Sequence, residues 1–178
     1  TSSSMVPIGT PMPTFSLPDA HGCIWYTSEE KSGTLVIFIC NHCPFVIHVA
    51  KTLCEIKTQC DEMNIEMVCI NSNDQVAYPA DSTEKMLETM SEFGWTFPYL
   101  VDETQEVAKA FGATCTPDIF LFDANQKLYY RGQFDDSRPR SGESDGHDLL
   151  GALKELELGN TPPKVQKPAI GCNVKWKE

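Results

Sequence analysis

The chain has 178 residues, of which 41% are hydrophobic and 22% are charged. This size and composition predict one α/β domain over residues 1–178 with a sizeable core. A formal net charge of -11 repels polyanions and anionic lipid, so we expect no nucleic acid and no membrane among its partners. No apolar run approaches the roughly 18 residues that span a bilayer.

The N-terminus lacks the basic-then-apolar layout of a secretory signal. We expect residues 1–5 to be disordered or left over from expression. The chain contains 8 cysteines. Because Cys54, Cys60 and Cys69 lie within apolar periodic segments, we interpret them as small buried hydrophobes. Cysteines of this kind favour a reducing, cytoplasmic location over a disulfide framework.

The first elements of the chain are two extended segments, a strand and a helix. The extended segments, Thr14–Leu17 and Cys23–Tyr26, flank a turn rich in turn-forming residues. Thr34–Ile39 is an apolar run rich in β-branched residues, which is typical of a strand buried on both faces in a parallel sheet. Apolar residues then recur at spacings of three and four from Pro44 to Met63, which predicts a helix with proline in its first turn.

The middle of the chain continues this alternation. A second buried strand is predicted at Glu66–Ile70, and a helix that ends near Gly94 is predicted to begin around Asp81, three residues before Glu84. A short strand and a helix follow, at Phe97–Val101 and Thr104–Phe111.

The last part of the chain predicts a hairpin, a helix and a tail. Two strands, Asp118–Phe122 and Lys127–Arg131, flank a turn, and a helix covers His147–Leu158. The proline-containing residues 159–178 predict an extended tail over the surface. Buried strands alternating with helices, followed by a hairpin, indicate a mixed sheet with helices on both faces.

The segment Cys40-Asn41-His42-Cys43-Pro44 follows a buried strand and opens a helix. A helix N-terminus presents free N–H donors and a partial positive charge, both of which favour a thiolate over a thiol. Cysteines placed there have pKa values lowered from about 8.5 to roughly 3.5–7.5. Cys43 lies closer to the helix start, so we assign it the role of nucleophile, with His42 adding positive charge when protonated. The alternative is that Cys43 merely packs at the junction.

The segment Thr114-Cys115-Thr116-Pro117-Asp118 precedes an apolar strand. A proline in this position often marks a constrained turn, sometimes with a cis peptide bond. Alone this proline is weak evidence for a functional turn, but together with the cysteine-bearing helix it becomes strong evidence.

Several motifs together carry a family resemblance: residues 9–18, 97–102, 111–112 and 116–123. They resemble the thioredoxin superfamily and, within it, the peroxiredoxin-like branch, also called the redoxin or alkyl hydroperoxide reductase/thiol-specific antioxidant group. The combination of residues 40–46, 115–118, 135–138 and 170–176 is similar to a subgroup of poorly characterised peroxiredoxin-like proteins. The resemblance spans about Val6 to Lys177.

The resemblance implies a thioredoxin-like fold, in which a central mixed β-sheet carries helices on both faces, with an N-terminal hairpin and an extended C-terminal tail. It also implies roles for particular residues. Cys43 falls on the attacking cysteine of thioredoxins, and Pro117 falls on the cis-proline that faces it. Thr116 would offer backbone hydrogen bonds to an extended substrate, and His42 and Pro44 would flank the substrate.

The chain departs from the family patterns at three positions. Val46 replaces the resolving cysteine three residues after Cys43, and Ile37 replaces the buried acid of thioredoxins. The threonine that peroxidases carry three residues before their reactive cysteine is also absent, since Cys40 stands there. The leading candidates for a resolving cysteine are Cys40, three residues before Cys43, and Cys115, two residues before Pro117. Cys172, an external thiol or no resolving thiol remain open.

Three functions are consistent with these residues. The first is a thiol–disulfide oxidoreductase that acts on protein or small-molecule disulfides, without an organic cofactor, and takes electrons from thioredoxin or glutathione. The second is a thiol peroxidase with antioxidant activity on peroxides. The third is a metal-binding or redox-regulated interaction module, in which Cys40, His42, Cys43 and Cys115 would be the ligands.

Overall fold

The computed structural model describes residues 1–178 and contains nine strands and four helices. In chain order these are β1 (Ser16–Pro18), β2 (Ile24–Tyr26), β3 (Gly33–Phe38), α1 (Pro44–Glu62), β4 (Ile65–Asn71), α2 (Thr83–Phe93), β5 (Tyr99–Val101), α3 (Glu106–Phe111), β6 (Cys115–Thr116), β7 (Asp118–Asp123), β8 (Leu128–Gly132), α4 (His147–Glu157) and β9 (Cys172–Asn173). The predicted helices and strands are confirmed to within about two residues at their ends. None of the helices has both the length and the apolar character needed to cross a membrane.

The central sheet has five strands in the order β5-β4-β3-β7-β8. The strands β3, β4 and β5 run parallel, whereas β7 is antiparallel to β3 and β8 is antiparallel to β7. All six residues of β3 are buried, which explains why this strand reads as a continuous apolar run. The predicted mixed sheet is confirmed, and so is the N-terminal hairpin, in which β1 pairs with β2.

Apolar side chains cover both faces of this sheet. Leu35 and Ile37 of β3 pack into one cluster with buried side chains of α1, α2 and α4. Val36 and Phe38 of the same strand pack into a second cluster with α3 and the N-terminal segment. This alternation follows from the period of two in a strand. The helices therefore flank the sheet on both faces, as in a thioredoxin-like fold.

The sheet topology brings two distant segments to one edge of the molecule. Phe38, at the end of β3, is paired with Asp118, at the start of β7. The residues after Phe38 lead into α1, while Thr116 and Pro117 lead into β7. The cysteine-bearing turn and the proline-bearing turn must therefore lie side by side.

Both chain termini pack against other parts of the chain. Ser2 forms an isolated bridge with Ile170, and the backbone N–H of Ser3 donates to the carbonyl of Ala169. The tail, residues 159–178, is extended but does not lie wholly on the surface. Ala169 and Val174 are buried, and β9 pairs with β6 in a separate two-stranded sheet. The two termini thus satisfy each other's backbone groups.

The helix α2 begins two residues after the predicted start. Ser82, not Asp81, is the N-cap residue, and its hydroxyl accepts a hydrogen bond from the backbone N–H of Lys85. Asp81 lies one residue earlier, in a short 3₁₀ turn, and is fully buried. Its carboxylate is used by the site described below.

Leu53 and Ile47 of α1 provide a test of the main core. Leu53 is 0% exposed whereas Ile47 is 48% exposed. We expect Leu53→Ala to lower the free energy of unfolding by about 2–5 kcal/mol, because it leaves a cavity between α1 and the sheet. Ile47→Ala should change it by no more than about 0.5 kcal/mol. Urea denaturation followed by circular dichroism measures both, and equal losses would contradict this packing.

Candidate active site

Cys43 is the N-cap residue of α1, and Pro44 occupies the first turn of that helix. The side chain is 3% exposed. Its Sγ atom lies 2.6 Å from Sγ of Cys172 and 3.5 Å from the carbonyl oxygen of Thr116. The predicted nucleophile therefore lies between the proline-bearing turn and the C-terminal tail.

The pKa of the Cys43 thiol is lowered to about 4. The largest cause is a hydrogen bond from the neighbouring Cys40 thiol, and a hydrogen bond from the Cys172 thiol acts in the same direction. The backbone N–H of Val46, in the first turn of α1, also lowers the pKa, while burial opposes all three effects. Two thiol donors thus add to the sources of stabilisation expected from the sequence, which were the helix N-terminus and the charge of a protonated His42.

Cys40 lies just beyond the end of β3 and is buried. Its Sγ atom is 3.6 Å from Oγ1 of Thr116. The hydrogen bond to Cys43 raises the pKa of Cys40 far above its ordinary value, and burial and the charges of Cys43 and Asp81 raise it further. Cys40 therefore remains a protonated donor when Cys43 is a thiolate.

Cys172 belongs to β9 in the tail and is only partly buried. Burial raises its pKa to about 11, and the hydrogen bond with Cys43 and the Cys43 charge contribute to the increase. The sequence analysis placed this cysteine among the minor candidates. The structure brings its sulfur into direct contact with that of Cys43.

Cys115 has no contact of this kind with Cys43. Its side chain is fully buried in β6, and its Sγ atom lies 3.6 Å from the carbonyl oxygen of Pro117. Burial and the charge of Asp118 raise its pKa well above the ordinary value. The structure therefore separates Cys115 from the sulfur atoms that surround Cys43.

The peptide bond between Thr116 and Pro117 is cis. The carbonyl oxygen of Thr116 accepts a hydrogen bond from Cys43 when that thiol is protonated, and the Thr116 hydroxyl lies within hydrogen-bond distance of the Cys40 sulfur. The backbone edge of Thr116 is paired antiparallel with Cys172. The chain's own tail thus occupies the edge at which an extended substrate was expected to bind.

His42 is half-exposed beside the site, and its Nδ1 atom lies 3.6 Å from Oδ2 of Asp81. Asp81 is a buried carboxylate that the sequence analysis placed only at the start of a helix. Its Oδ1 atom accepts hydrogen bonds from the backbone N–H of Asn41 and from the side-chain amide of Asn71, and its Oδ2 atom accepts one from the side-chain amide of Asn73. These hydrogen bonds hold the turn between Cys40 and Cys43 in place.

A small cleft of about 20 Å³, enough for one water molecule, lies beside the cis peptide bond and is lined by Phe45, His48, Pro117, Arg138 and Ile170 among others. Segment 135–138, which the resemblance singled out, forms part of its rim. Asp135 is buried and accepts the backbone N–H groups of residues 137, 145 and 146. This carboxylate therefore organises the loop that borders the proline-bearing turn.

The remaining cysteines lie away from these contacts. Cys60 and Cys69 are fully buried in the core, as predicted, and burial raises the pKa of each. Cys54 is only partly buried and donates to the carbonyl of Phe93, whereas Cys23 is exposed.

The ligands of the metal-binding alternative are not brought together in the structure, because no group of three or more His, Cys, Asp or Glu side chains is placed to hold an ion.

Sequence reasoning missed two features of the site: the central position of Cys172 and the buried carboxylate of Asp81. Both depend on long-range packing, and the only sequence signal was the tail motif around Cys172.

Comparisons with known proteins agree with this fold. The chain is 26% identical over 129 residues to the thiol-disulfide oxidoreductase ResA of Geobacillus thermodenitrificans, which covers 72% of this chain and 70% of that protein. A hypothetical protein from Sinorhizobium meliloti 1021 is 40% identical, with a TM-score of 0.96 over 99% of this chain and 98% of that chain. An uncharacterized conserved protein from Geobacillus kaustophilus is 45% identical, with a TM-score of 0.96 over 99% and 96%.

The family model described as AhpC/TSA matches residues 8–131. This region contains the central sheet, α1 with its preceding cysteines, and the cis peptide bond. The likeness to thioredoxin-fold redoxins is therefore confirmed, and the chain belongs to the AhpC/TSA family.

Proposed function

We propose that this protein is a thiol–disulfide oxidoreductase in which Cys43 is the nucleophile. The observation that carries the proposal is the environment of the Cys43 sulfur, whose pKa is lowered to about 4 by thiol and backbone donors. A thiolate is the species that attacks disulfides. The similarity to ResA, named as a thiol-disulfide oxidoreductase, supports the same reaction class.

The first step would be attack by the Cys43 thiolate on one sulfur of a disulfide. A bond forms between Cys43 and that sulfur, the substrate's S–S bond breaks, and the departing thiolate takes a proton from solvent. Cys40 keeps its proton and continues to donate toward the Cys43 sulfur. Thr116 and Pro117 would position the substrate beside it, while His42 and Pro44 flank the approach.

A second candidate function is a thiol peroxidase. Its support is the lowered pKa of Cys43, since a thiolate is the form of cysteine that peroxides oxidise. The thiolate would attack one peroxide oxygen, releasing an alcohol or water and leaving a sulfenic acid on Cys43. The family also includes such enzymes by its description, AhpC/TSA.

Either reaction leaves the protein oxidised, so an external thiol must return two electrons. We propose thioredoxin or glutathione as the donor, in a cytoplasmic setting where both keep thiols reduced. Neither reaction requires an organic cofactor.

The ionisation of Cys43 can be measured directly by its rate of alkylation with iodoacetamide. Because the pKa of Cys43 is lowered to about 4, its rate should be nearly constant from roughly pH 6 to 8 and should fall only as the pH approaches 4. Cys54 serves as an internal control, because burial raises its pKa and its rate should rise about tenfold per pH unit over that range. A Cys43 profile that rises in parallel with that of Cys54 would contradict the proposal.

The reaction itself can be assigned with two assays run side by side, reduction of insulin disulfides and consumption of hydrogen peroxide. We expect insulin reduction to fall to the uncatalysed rate in Cys43→Ser, because the hydroxyl cannot replace a thiolate. Cys23→Ser is the matched control, since Cys23 is exposed and outside the site, and it should retain full activity. Peroxide consumption without insulin reduction, also lost in Cys43→Ser, would replace the first function with the second.

A further inference from the structure

The C-terminal tail is built into the site through a specific strand pairing. Cys172 is paired with Thr116 and Asn173 with Cys115, antiparallel, in the two-stranded sheet of β6 and β9. This pairing places the Cys172 sulfur 2.6 Å from the Cys43 sulfur. A thiol held so close to a thiolate is positioned for S–S bond formation with very little movement.

Residues on both sides of Cys172 allow the tail to pack this closely against Thr116 and Cys43. A Cβ atom added at Gly171 would lie 2.0 Å from the carbonyl oxygen of Thr116, so the tail packs here only because residue 171 has no side chain. The backbone N–H of Val174 donates to the carbonyl of Thr114, and the Val174 side chain is buried. The residues on both sides of Cys172 therefore hold it in register.

Beyond Cys172, buried polar side chains hold the end of the tail. Asn73 accepts the backbone N–H of Lys175 with its side-chain oxygen while its amide group donates to Asp81. Gln105 donates to the carbonyl of Lys175 and accepts the backbone N–H of Lys177. Both amide side chains are buried. The tail is thus attached to the same polar network that fixes the cysteine-bearing turn.

The two thiols beside Cys43 differ in how they can react. Cys40 is buried at the end of β3, and its hydrogen bond with Cys43 together with burial raises its pKa further above the ordinary value than the pKa of Cys172 is raised. Cys172 is partly exposed and is carried by a short strand, which needs only a few hydrogen bonds broken to leave. Cys172 can therefore ionise and move, whereas Cys40 is suited to remain a donor.

We propose that Cys172 is the resolving cysteine of this protein, a role that rests on the proposed function of Cys43. The Cys172 thiol gives up its proton to solvent, and its sulfur attacks the Cys43 sulfur in the mixed disulfide. The bond between Cys43 and the substrate sulfur breaks, the Cys43–Cys172 disulfide forms, and the departing thiolate takes up a proton. The protein dithiol supplies both electrons, and an external thiol such as glutathione later restores it.

The pairing of β9 with β6 couples this resolution step to the release of the substrate. The edge of β6 can pair with one strand at a time, so an extended disulfide substrate bound at Thr116 has to displace β9. When β9 pairs again it both displaces the substrate backbone and delivers the Cys172 sulfur. Docking of the tail and release of the reduced product are therefore the same event.

The test uses reduced full-length protein, glutathione disulfide as the probe, an acid quench and mass mapping of the Cys43 peptide. In the wild type we expect glutathione to appear only briefly on Cys43 and to be replaced by a Cys43–Cys172 disulfide. In Cys172→Ser, glutathione should persist on Cys43 with a lifetime at least about tenfold longer. Cys23→Ser is the control and should match the wild type.

Gly171→Ala tests the role of tail docking while keeping every thiol. The new methyl group would clash with the Thr116 backbone, so glutathione should persist on Cys43 nearly as long as in Cys172→Ser. Gly151→Ala in α4 is its matched control, because a Cβ there meets nothing within 4 Å. Wild-type clearance in Gly171→Ala would overturn the docking route.

The outcomes separate this proposal from the proposed function. If Cys172→Ser clears glutathione as fast as the wild type and forms a Cys40–Cys43 disulfide, the resolving role of Cys172 is wrong while the Cys43 function stands. If glutathione never attaches to Cys43 in any variant, both are wrong. A persistent mixed disulfide in Cys172→Ser alone among the cysteine variants supports both.

Discussion

A single negative charge on the sulfur of Cys43 is the feature on which the site depends. A buried thiolate is stable only when hydrogen-bond donors replace the water it has lost. Here those donors are the thiols of Cys40 and Cys172 and the backbone N–H of Val46. Each comes from a different element: the end of the central strand, the C-terminal tail and the first turn of α1. The packing of the chain is therefore coupled directly to the reactivity of one atom.

The sheet explains how these elements meet. Because β3 and β7 are antiparallel neighbours, the exit of β3 and the entry to β7 lie at one edge. A second layer of polar contacts supports this edge, since the buried carboxylate of Asp81 binds Asn41 in the turn and Asn73 beside the tail. Thioredoxins carry a buried acid at the position of Ile37, as the family resemblance implies. In this chain a carboxylate instead approaches the same turn from the start of α2.

Because β9 covers Cys43, it affects both the access of substrates to the Cys43 sulfur and the ionisation of the Cys43 thiol. Cys43 is stabilised and covered by the same strand, so the state with the most strongly stabilised thiolate is also the one least open to a bulky substrate. Partial opening of β9 exposes the sulfur and removes one of its donors, which makes the thiolate more basic and a stronger nucleophile. The reactivity of Cys43 then depends on whether a substrate is present that can pair with the backbone of Thr116 in place of β9.

The order of elements, the mixed sheet and the position of Cys43 at a helix start could all be predicted from the sequence, because strand burial, helical periodicity and proline placement are local patterns. The partners of Cys43 could not. Cys172 lies 129 residues further along the chain, and Asp81 resembles an ordinary helix cap until its burial is known. Contacts between residues so far apart leave no periodic signal, so only the tertiary structure decided which thiol faces Cys43 and which carboxylate supports the turn that carries it.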